Sequence, residues 1–267
     1  MQVLYVVRLG MMLLAASALA QSQTSSTDKL TGSQKAAIGR QIWHNECAGT
    51  IDGLTTWNAG EEFPSLGIGH FIWYPAGFNG RFEESWPLFV AFAQQRGAKL
   101  PPVALNRHSP WTSKREFQID FTGARLTALR AWLAKNVALQ TDFIIARSRA
   151  ALPKILAAAP AGERARIEAN YRKVATTPQG TYALIDYVNF KGDGTKASET
   201  YKGEGWGLLQ VLGDMRDGLT GAAAAKEFAA SATRVLSRRI AHSPPERGEK
   251  RWDQGWQNRC ATYAKPL

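Results

Sequence analysis

The sequence predicts a mostly α-helical (α+β) protein with a small β region near its N-terminus. Apolar residues recur at three- and four-residue spacing through most of the 267-residue chain, a period typical of amphipathic helices. Residues 50–74 have no such period and are instead rich in glycine, threonine and aromatic side chains. We therefore expect short strands and loops in that segment and helices in most of the remainder.

The first helix is expected to begin after Ser33, whose hydroxyl can cap it, and to end near Cys47, because Gly49 follows. Residues 83–95 form the next predicted helix, and residues 100–115 contain three prolines and are predicted as a loop. The apolar positions of the first helix have helical spacing: Ala37, Ile38, Ile42 and Trp43.

Six further helices are predicted between residues 126 and 241, with a glycine-rich loop at residues 192–205 between two of them. Pro153 is expected to break or kink the helix that contains it, because proline cannot donate the helical hydrogen bond. The predicted helices cover residues 126–135, 138–159, 161–175, 181–189, 206–216 and 222–241.

The composition is that of a globular protein, with 45% hydrophobic and 21% charged residues. We find no internal repeat, low-complexity linker or sharp change in composition along the chain. The sequence therefore predicts a single domain over residues 31–267, with a helical insertion around residues 100–175.

The N-terminus is predicted to be a signal peptide over residues 1–20. Arg8 precedes an apolar run, and Ala18-Leu19-Ala20 fits the small-residue cleavage pattern. Residues 21–30 are polar and are expected to form a flexible leader. The run is short for a bilayer span, and no cysteine stands directly after the cleavage position. We therefore predict a periplasmic or secreted protein without a stable membrane anchor.

Export makes a disulfide possible, and Cys47 and Cys260 are the two cysteines of the chain. A bridge between them would tie the first helix to the C-terminal segment, and the long loop it closes would contribute about 4–5 kcal/mol to stability. Two buried free thiols are the alternative.

The formal net charge of +11 favours anionic partners. For an exported protein the nearby polyanions are cell-wall polymers and membrane surfaces. A basic intracellular protein would point to nucleic acid, but the predicted signal peptide argues against that partner here.

Glu46 is the leading candidate for a catalytic acid. It lies at the C-terminal end of the first predicted helix, where the helix dipole disfavours a negative charge. Ile42 and Trp43, one turn back, can supply apolar walls. Both effects would raise the pKa of Glu46, as a general acid requires. Glu61 and Glu62 follow, and glycoside hydrolysis needs two carboxylates beside one cleft.

The segment from Glu46 to Tyr74, and above all the Gly67-Ile68-Gly69-His70 run, resembles the phage-type lysozyme and endolysin family. The resemblance implies a lysozyme-like fold and cleavage of peptidoglycan. It assigns the general acid to Glu46 and places Ser65 at the position of a threonine that holds the attacking water. It also implies a mainly structural role for His70.

The second carboxylate of that family, an aspartate, has no direct counterpart here. Asn58 lies near its position, and the spacing from Glu46 to Ser65 is longer than in the family. We rank Glu61 first as the second carboxylate, followed by Glu62 and then Asp52.

The predicted substrate-binding residues lie around the same segment, with one contribution from a later helix. Trp73 and Tyr74 are either sugar-stacking rings or core residues. The full predicted set is Glu62, Gly67, His70, Trp73, Tyr74 and Asn189.

We predict no metal site and no cofactor, because the four histidines lack ligand spacing and no nucleotide-binding fingerprint is present. The predicted function is an exported glycoside hydrolase that acts on peptidoglycan or a related amino-sugar polymer. One alternative is a lytic transglycosylase that uses a single glutamate. Another is a non-catalytic wall-binding protein on a lysozyme scaffold.

Overall fold

The computed structural model describes residues 30–80 and 82–267, so the predicted signal peptide and nearly all of the predicted leader lie outside the described residues. The predicted class is confirmed: helices dominate, and a small antiparallel sheet lies near the N-terminus. The helices are α1 (Gly32–Cys47), α2 (Trp86–Gln95), α3 (Lys114–Ile119), α4 (Ala124–Lys135), α5 (Val137–Ala158), α6 (Arg164–Val174), α7 (Pro178–Lys191), α8 (Leu208–Asp214), α9 (Gly221–His242) and α10 (Asp253–Thr262). The strands are β1 (Thr55–Thr56), β2 (Ser65–Leu66), β3 (Phe71–Ile72), β4 (Thr200–Tyr201) and β5 (Glu204–Gly205).

The N-terminal sheet has the order β1-β2-β3, and the Gly-Ile-Gly-His turn connects its last two strands. Gly67 has a φ of +71°, and a Cβ there would lie 2.3 Å from Oε1 of Gln140. The same Gln140 oxygen accepts a hydrogen bond from the backbone N–H of Ile68 at 2.9 Å. The turn therefore needs glycine, and a buried amide of α5 holds it in place.

Two predicted details are wrong. α1 is capped by Thr31 instead of Ser33, in a capping box with Gln34. The segment at residues 192–205 contains the β4–β5 hairpin, so residues 50–74 are not the only β region of the described chain. Strands of two residues are too short to produce a period that a sequence pattern can reveal.

The helix that contains Pro153 is not broken there, because α5 continues from Val137 to Ala158.

One connected hydrophobic core joins the sheet to the helices. α5 packs against α1 and α7, and α9 packs against α7, α8 and α10. The segment predicted as an insertion contributes fully buried core residues such as Leu129 and Ile155. α7 is buried from Gly180 to Val188, including the charged Asp186. Among the described helices, none combines the length and apolar character needed to cross a bilayer.

Candidate functional site

Glu46 lies in the last turn of α1, where three other parts of the chain meet it. Its Oε1 forms an ion pair with Nη2 of Arg259 at 2.7 Å and accepts a hydrogen bond from Nδ2 of Asn189 at 3.3 Å. Its Oε2 lies 3.4 Å from Nδ1 of His70. The side chain is 13% exposed, so the carboxylate is held at both oxygens and still reaches solvent.

The turn between β2 and β3 brings His70 to Glu46. His70 itself has a φ of +46°, an uncommon backbone conformation for a non-glycine residue. A Cβ on Gly69 would lie 2.5 Å from the Phe71 ring and 3.0 Å from Oδ1 of Asn189. Glycine at this position therefore lets the turn approach the C-terminal end of α7.

Arg259 of α10 is fixed by a second carboxylate in addition to Glu46. Its Nε and Nη2 each donate to Asp186 at 2.8 Å, and Asp186 is fully buried. Tyr263 also donates its hydroxyl to Asp186 at 2.6 Å. Arg259 thus bridges two carboxylates, and the bidentate pair with Asp186 fixes the guanidinium that meets Glu46.

The charges around Glu46 decide its protonation. Burial acts to raise the pKa of Glu46, but Arg259, His70 and Lys191 together outweigh it and hold the pKa below its ordinary value. The expectation of a raised pKa is therefore wrong. The guanidinium lies at contact distance and its charge exceeds the partial charge of a helix end. Glu46 rests as a carboxylate.

His70 complements Glu46 as a neutral ring. Burial lowers the pKa of His70, and the attraction of Glu46 only partly opposes that shift. Near neutral pH the contact therefore joins an imidazole to a carboxylate. The prediction that His70 is mainly structural stays a prediction, but the ring does touch the candidate acid.

Three of the predicted site residues come together: Glu46, His70 and Asn189. Glu61 lies on the turn between β1 and β2, where its carboxylate accepts a hydrogen bond from Asn58 at 3.0 Å. Burial raises the pKa of Glu61, against the effect of that hydrogen bond.

The other two candidates for the second carboxylate are exposed. Glu62 is exposed on the same turn as Glu61. Asp52 is 75% exposed and lies 3.8 Å from Nε of Arg130. Neither these two residues nor Glu61 forms a hydrogen bond or ion pair with the residues around Glu46 in the described chain.

Several predicted contact residues belong to the core instead. Trp73 is fully buried against Trp86, with ring centroids 5.3 Å apart, and Tyr74 is 6% exposed. Neither ring is available for stacking on a sugar. Ser65 is 3% exposed within the middle strand, and Gly67 is buried where its turn meets α5. A water-holding role for Ser65 is therefore not supported, because its side chain is closed off from solvent.

The predicted disulfide is absent, since Cys47 and Cys260 are both buried free thiols. The Sγ of Cys47 faces the carbonyl oxygen of Gly67 at 3.6 Å, whereas Cys260 lies beside Thr233 of α9. The two side chains contact different neighbours, so the disulfide predicted from the presence of two cysteines does not form. Burial raises the pKa of Cys47 to about 12 and that of Cys260 to about 11.

We expect both thiols of the purified protein to be inert while the chain is folded. A buried thiol with a raised pKa forms little thiolate, the reactive species. A thiol-specific reagent should label two sites per chain after denaturation without reductant, and almost none before. A chain two hydrogens lighter, with no label after denaturation, would show a bridge between Cys47 and Cys260 instead.

Sequence reasoning missed Asp186 and Arg259, although one signal was available. Asp186 is the only charged residue in the apolar segment at residues 181–190, and a fully buried acid needs a cationic partner. The partner is 73 positions away in the chain, so no local pattern identifies it.

Proton transfer is the chemistry that this arrangement supports. Glu46 and His70 are in contact and both are partly exposed, whereas Asp186 is fully buried. Among the described residues, no three His, Cys, Asp or Glu side chains converge as metal ligands would. Comparisons with family models, curated proteins and solved structures find no match.

Proposed function

We propose that the protein is an exported glycoside hydrolase that cleaves the glycan strand of peptidoglycan, with Glu46 as the group that protonates the glycosidic oxygen. One observation carries the proposal. A partly exposed carboxylate is fixed by Arg259, Asn189 and His70. Such fixing supplies the orientation that general acid catalysis requires.

The lowered pKa of Glu46 is compatible with this role in a specific way. Protonated Glu46 gives its proton to the leaving oxygen and becomes the carboxylate that Arg259 stabilises. The pairing makes Glu46 a stronger acid while reducing the fraction that carries a proton. The carboxylate left behind can then stabilise the positive charge that develops on the sugar.

The choice of peptidoglycan as substrate draws on the charge and the predicted export. A net charge of +11 favours an acidic polymer, and peptidoglycan carries carboxylates outside the cytoplasmic membrane. The resemblance of residues 46–74 to phage-type lysozymes points to the same polymer.

A lytic transglycosylase is the second candidate, and one observation favours it. Glu61, Glu62 and Asp52 make no hydrogen bond or ion pair with the residues around Glu46 in the described chain. A transglycosylase needs a single glutamate, because a hydroxyl of the substrate replaces water as the nucleophile.

Product analysis on isolated sacculi separates these reactions. A hydrolase releases fragments with reducing ends, and a transglycosylase releases fragments with anhydro ends. For a hydrolase in which Glu61 is the carboxylate that activates water, we expect reducing ends from the wild-type mature chain and a large loss of release in Glu61→Gln. Retained release with anhydro ends would establish the transglycosylase. Tight binding to sacculi without any release would instead indicate a wall-binding protein.

We expect kcat/KM to rise as the pH falls from about 7 to about 5, by up to about tenfold per unit. Because the pKa of Glu46 is lowered, only a small fraction of the free enzyme carries a proton on Glu46 near neutral pH. The value of kcat/KM depends on this protonated fraction of the free enzyme, so it should rise as the fraction grows. The stabilising ion pair is complete above the ordinary carboxyl pKa and is lost only as the pH falls through the lower folded-state pKa. As a control, unfolding is monitored over the same pH range, to show that the chain stays folded where the rate is measured. A flat profile, or one that falls towards acid in a folded protein, would contradict the assignment.

A further inference from the structure

Positive charge is concentrated in one part of the chain. Residues 85–141 contain eight Lys or Arg and two Asp or Glu, which gives a net charge of +6 out of the +11 of the whole sequence. No acid lies between Glu84 and Glu116, or between Asp120 and Asp142. These residues include α2, α3 and α4, so the cations of these helices have few carboxylates close to them in the chain.

Three of these cations lie around Trp132 of α4. Nε1 of Trp132 donates a hydrogen bond to the carbonyl oxygen of Lys99 at 2.7 Å, and Lys135 follows one helical turn later. Arg96 lies three residues before Lys99, with its guanidinium 3.5 Å from the ring centroid of Phe92. The three cations are exposed, and they form no ion pair with other residues that the structure describes. We refer to Arg96, Lys99 and Lys135 as the basic patch.

An exposed leucine lies on the same helix side as one end of the basic patch. Leu88, Phe92 and Arg96 follow one another at a spacing of four residues, which places them along one side of α2. Leu88 is 47% exposed. Phe92 is half-buried beneath the guanidinium of Arg96. The apolar side of α2 therefore continues into the basic patch.

Packing between α2 and α4 joins the two parts of this surface. The rings of Trp132 and Phe89 have their centroids 6.1 Å apart. A helical turn at Pro102–Leu105 also packs against α4, and its last residue, Leu105, is 51% exposed. Unpaired cations and exposed leucines therefore occur in the same part of the fold.

This combination fits an anionic bilayer better than it fits a polysaccharide. The negative potential of such a membrane attracts nearby cations, and apolar side chains beside them can enter the boundary between headgroups and acyl chains. A glycan would instead need free hydrogen-bonding groups and open aromatic faces. Here Nε1 of Trp132 is engaged by Lys99, and Arg96 covers Phe92.

We propose that the basic patch and Leu88 bind the surface of an anionic phospholipid bilayer, peripherally and reversibly. The side chains that meet Glu46 come from the β2–β3 turn, α7 and α10, whereas this surface belongs to α2, α4 and the residues that follow α2. The inference goes beyond the proposed function, because it concerns other residues and another ligand.

Co-sedimentation of the mature chain with vesicles tests the proposal. One set of vesicles contains equal amounts of phosphatidylglycerol and phosphatidylcholine, and the other contains phosphatidylcholine alone. We expect binding to the first set only, with an affinity that falls as the salt concentration rises. The triple variant Arg96→Gln/Lys99→Gln/Lys135→Gln should bind about 100-fold more weakly, the combined scale of three cations near an anionic surface.

Two further variants separate the patch from net charge and from charge alone. Lys154→Gln/Lys226→Gln/Lys265→Gln removes the same charge from three exposed lysines in other parts of the fold, and it should keep nearly all of the binding. Leu88→Ala leaves the charge unchanged and should weaken binding about tenfold, because less apolar surface enters the membrane interface.

The proposal is overturned if the unsubstituted chain binds both vesicle sets equally or binds neither, if the two triple variants lose the same affinity, or if Leu88→Ala binds like the unsubstituted chain. It is also overturned if the patch variant keeps its vesicle binding and loses binding to lipid-free sacculi, which would assign the patch to a wall polymer. The vesicles contain no glycan, so the result does not depend on whether Glu46 catalyses glycan cleavage.

Discussion

Asp186→Asn is expected to destabilise the folded chain by about 3–5 kcal/mol, the usual result of removing one partner of a buried ion pair. Asp186 is fully buried and accepts hydrogen bonds from Arg259 and Tyr263. Asparagine removes the charge and turns one acceptor into a donor group facing other donors. Arg259 would keep only Glu46 as a counter-charge.

Denaturant unfolding of the mature chain measures this effect, with the midpoint falling and the slope unchanged. Asp142→Asn is the matched control, because the Asp142–Lys35 pair is 38% exposed on each side. Surface pairs of this kind contribute at most about 1 kcal/mol. Equal, small effects of the two substitutions would contradict the central structural role given to Asp186.

Glu46→Gln is expected to lower kcat/KM on peptidoglycan by about 10²–10⁴-fold, the typical contribution of a positioned proton donor. Glutamine keeps the shape and one acceptor oxygen for Arg259. It cannot give up a proton to a leaving oxygen under these conditions. The measurement is the initial rate of release of soluble fragments, with kcat and KM determined separately.

Two controls make the loss interpretable. Glu168→Gln alters an acid of α6 whose pairing with Arg172 is local to that helix, and its activity should match wild type. Thermal unfolding of Glu46→Gln shows whether the variant is folded at the assay temperature. A folded Glu46→Gln chain with wild-type kcat/KM would remove Glu46 from the chemistry.

The helices and the N-terminal sheet were predictable because their signals are local. The apolar period identified α1, α2, α4, α5, α6, α7, α8 and α9 to within a few residues. α10 and the β4–β5 hairpin were missed for different reasons. α10 has few apolar residues and no clear face, and the strands of the hairpin contain two residues each.

The candidate site was predictable only in part. Glu46 and His70 were found because one short segment carries both, and Asn189 was found as a possible cleft wall. Arg259 and Lys191 lie far from that segment in the chain, and tertiary packing alone brings them to Glu46. The direction of the pKa shift of Glu46 was predicted wrongly for the same reason. The guanidinium of Arg259 is far away in the sequence but in contact with Glu46 in the fold, and its charge outweighs the local effects that the sequence shows.

The cysteine pairing failed for a related reason. Export and two cysteines favour a bridge on statistical grounds, but a disulfide needs Cβ atoms roughly 4 Å apart and suitably directed. Cys47 faces the carbonyl oxygen of Gly67 and Cys260 faces Thr233 of α9, so each thiol has a different hydrogen-bond partner.

The most direct test of the account compares wild type and Glu46→Gln on isolated sacculi, measuring bound protein and released fragments in the same samples. We predict that both proteins bind to a similar extent and that only wild type releases fragments above the background. Equal release by the two proteins, or binding by both with no release by either, would contradict the assignment of Glu46 as the proton donor in glycan cleavage.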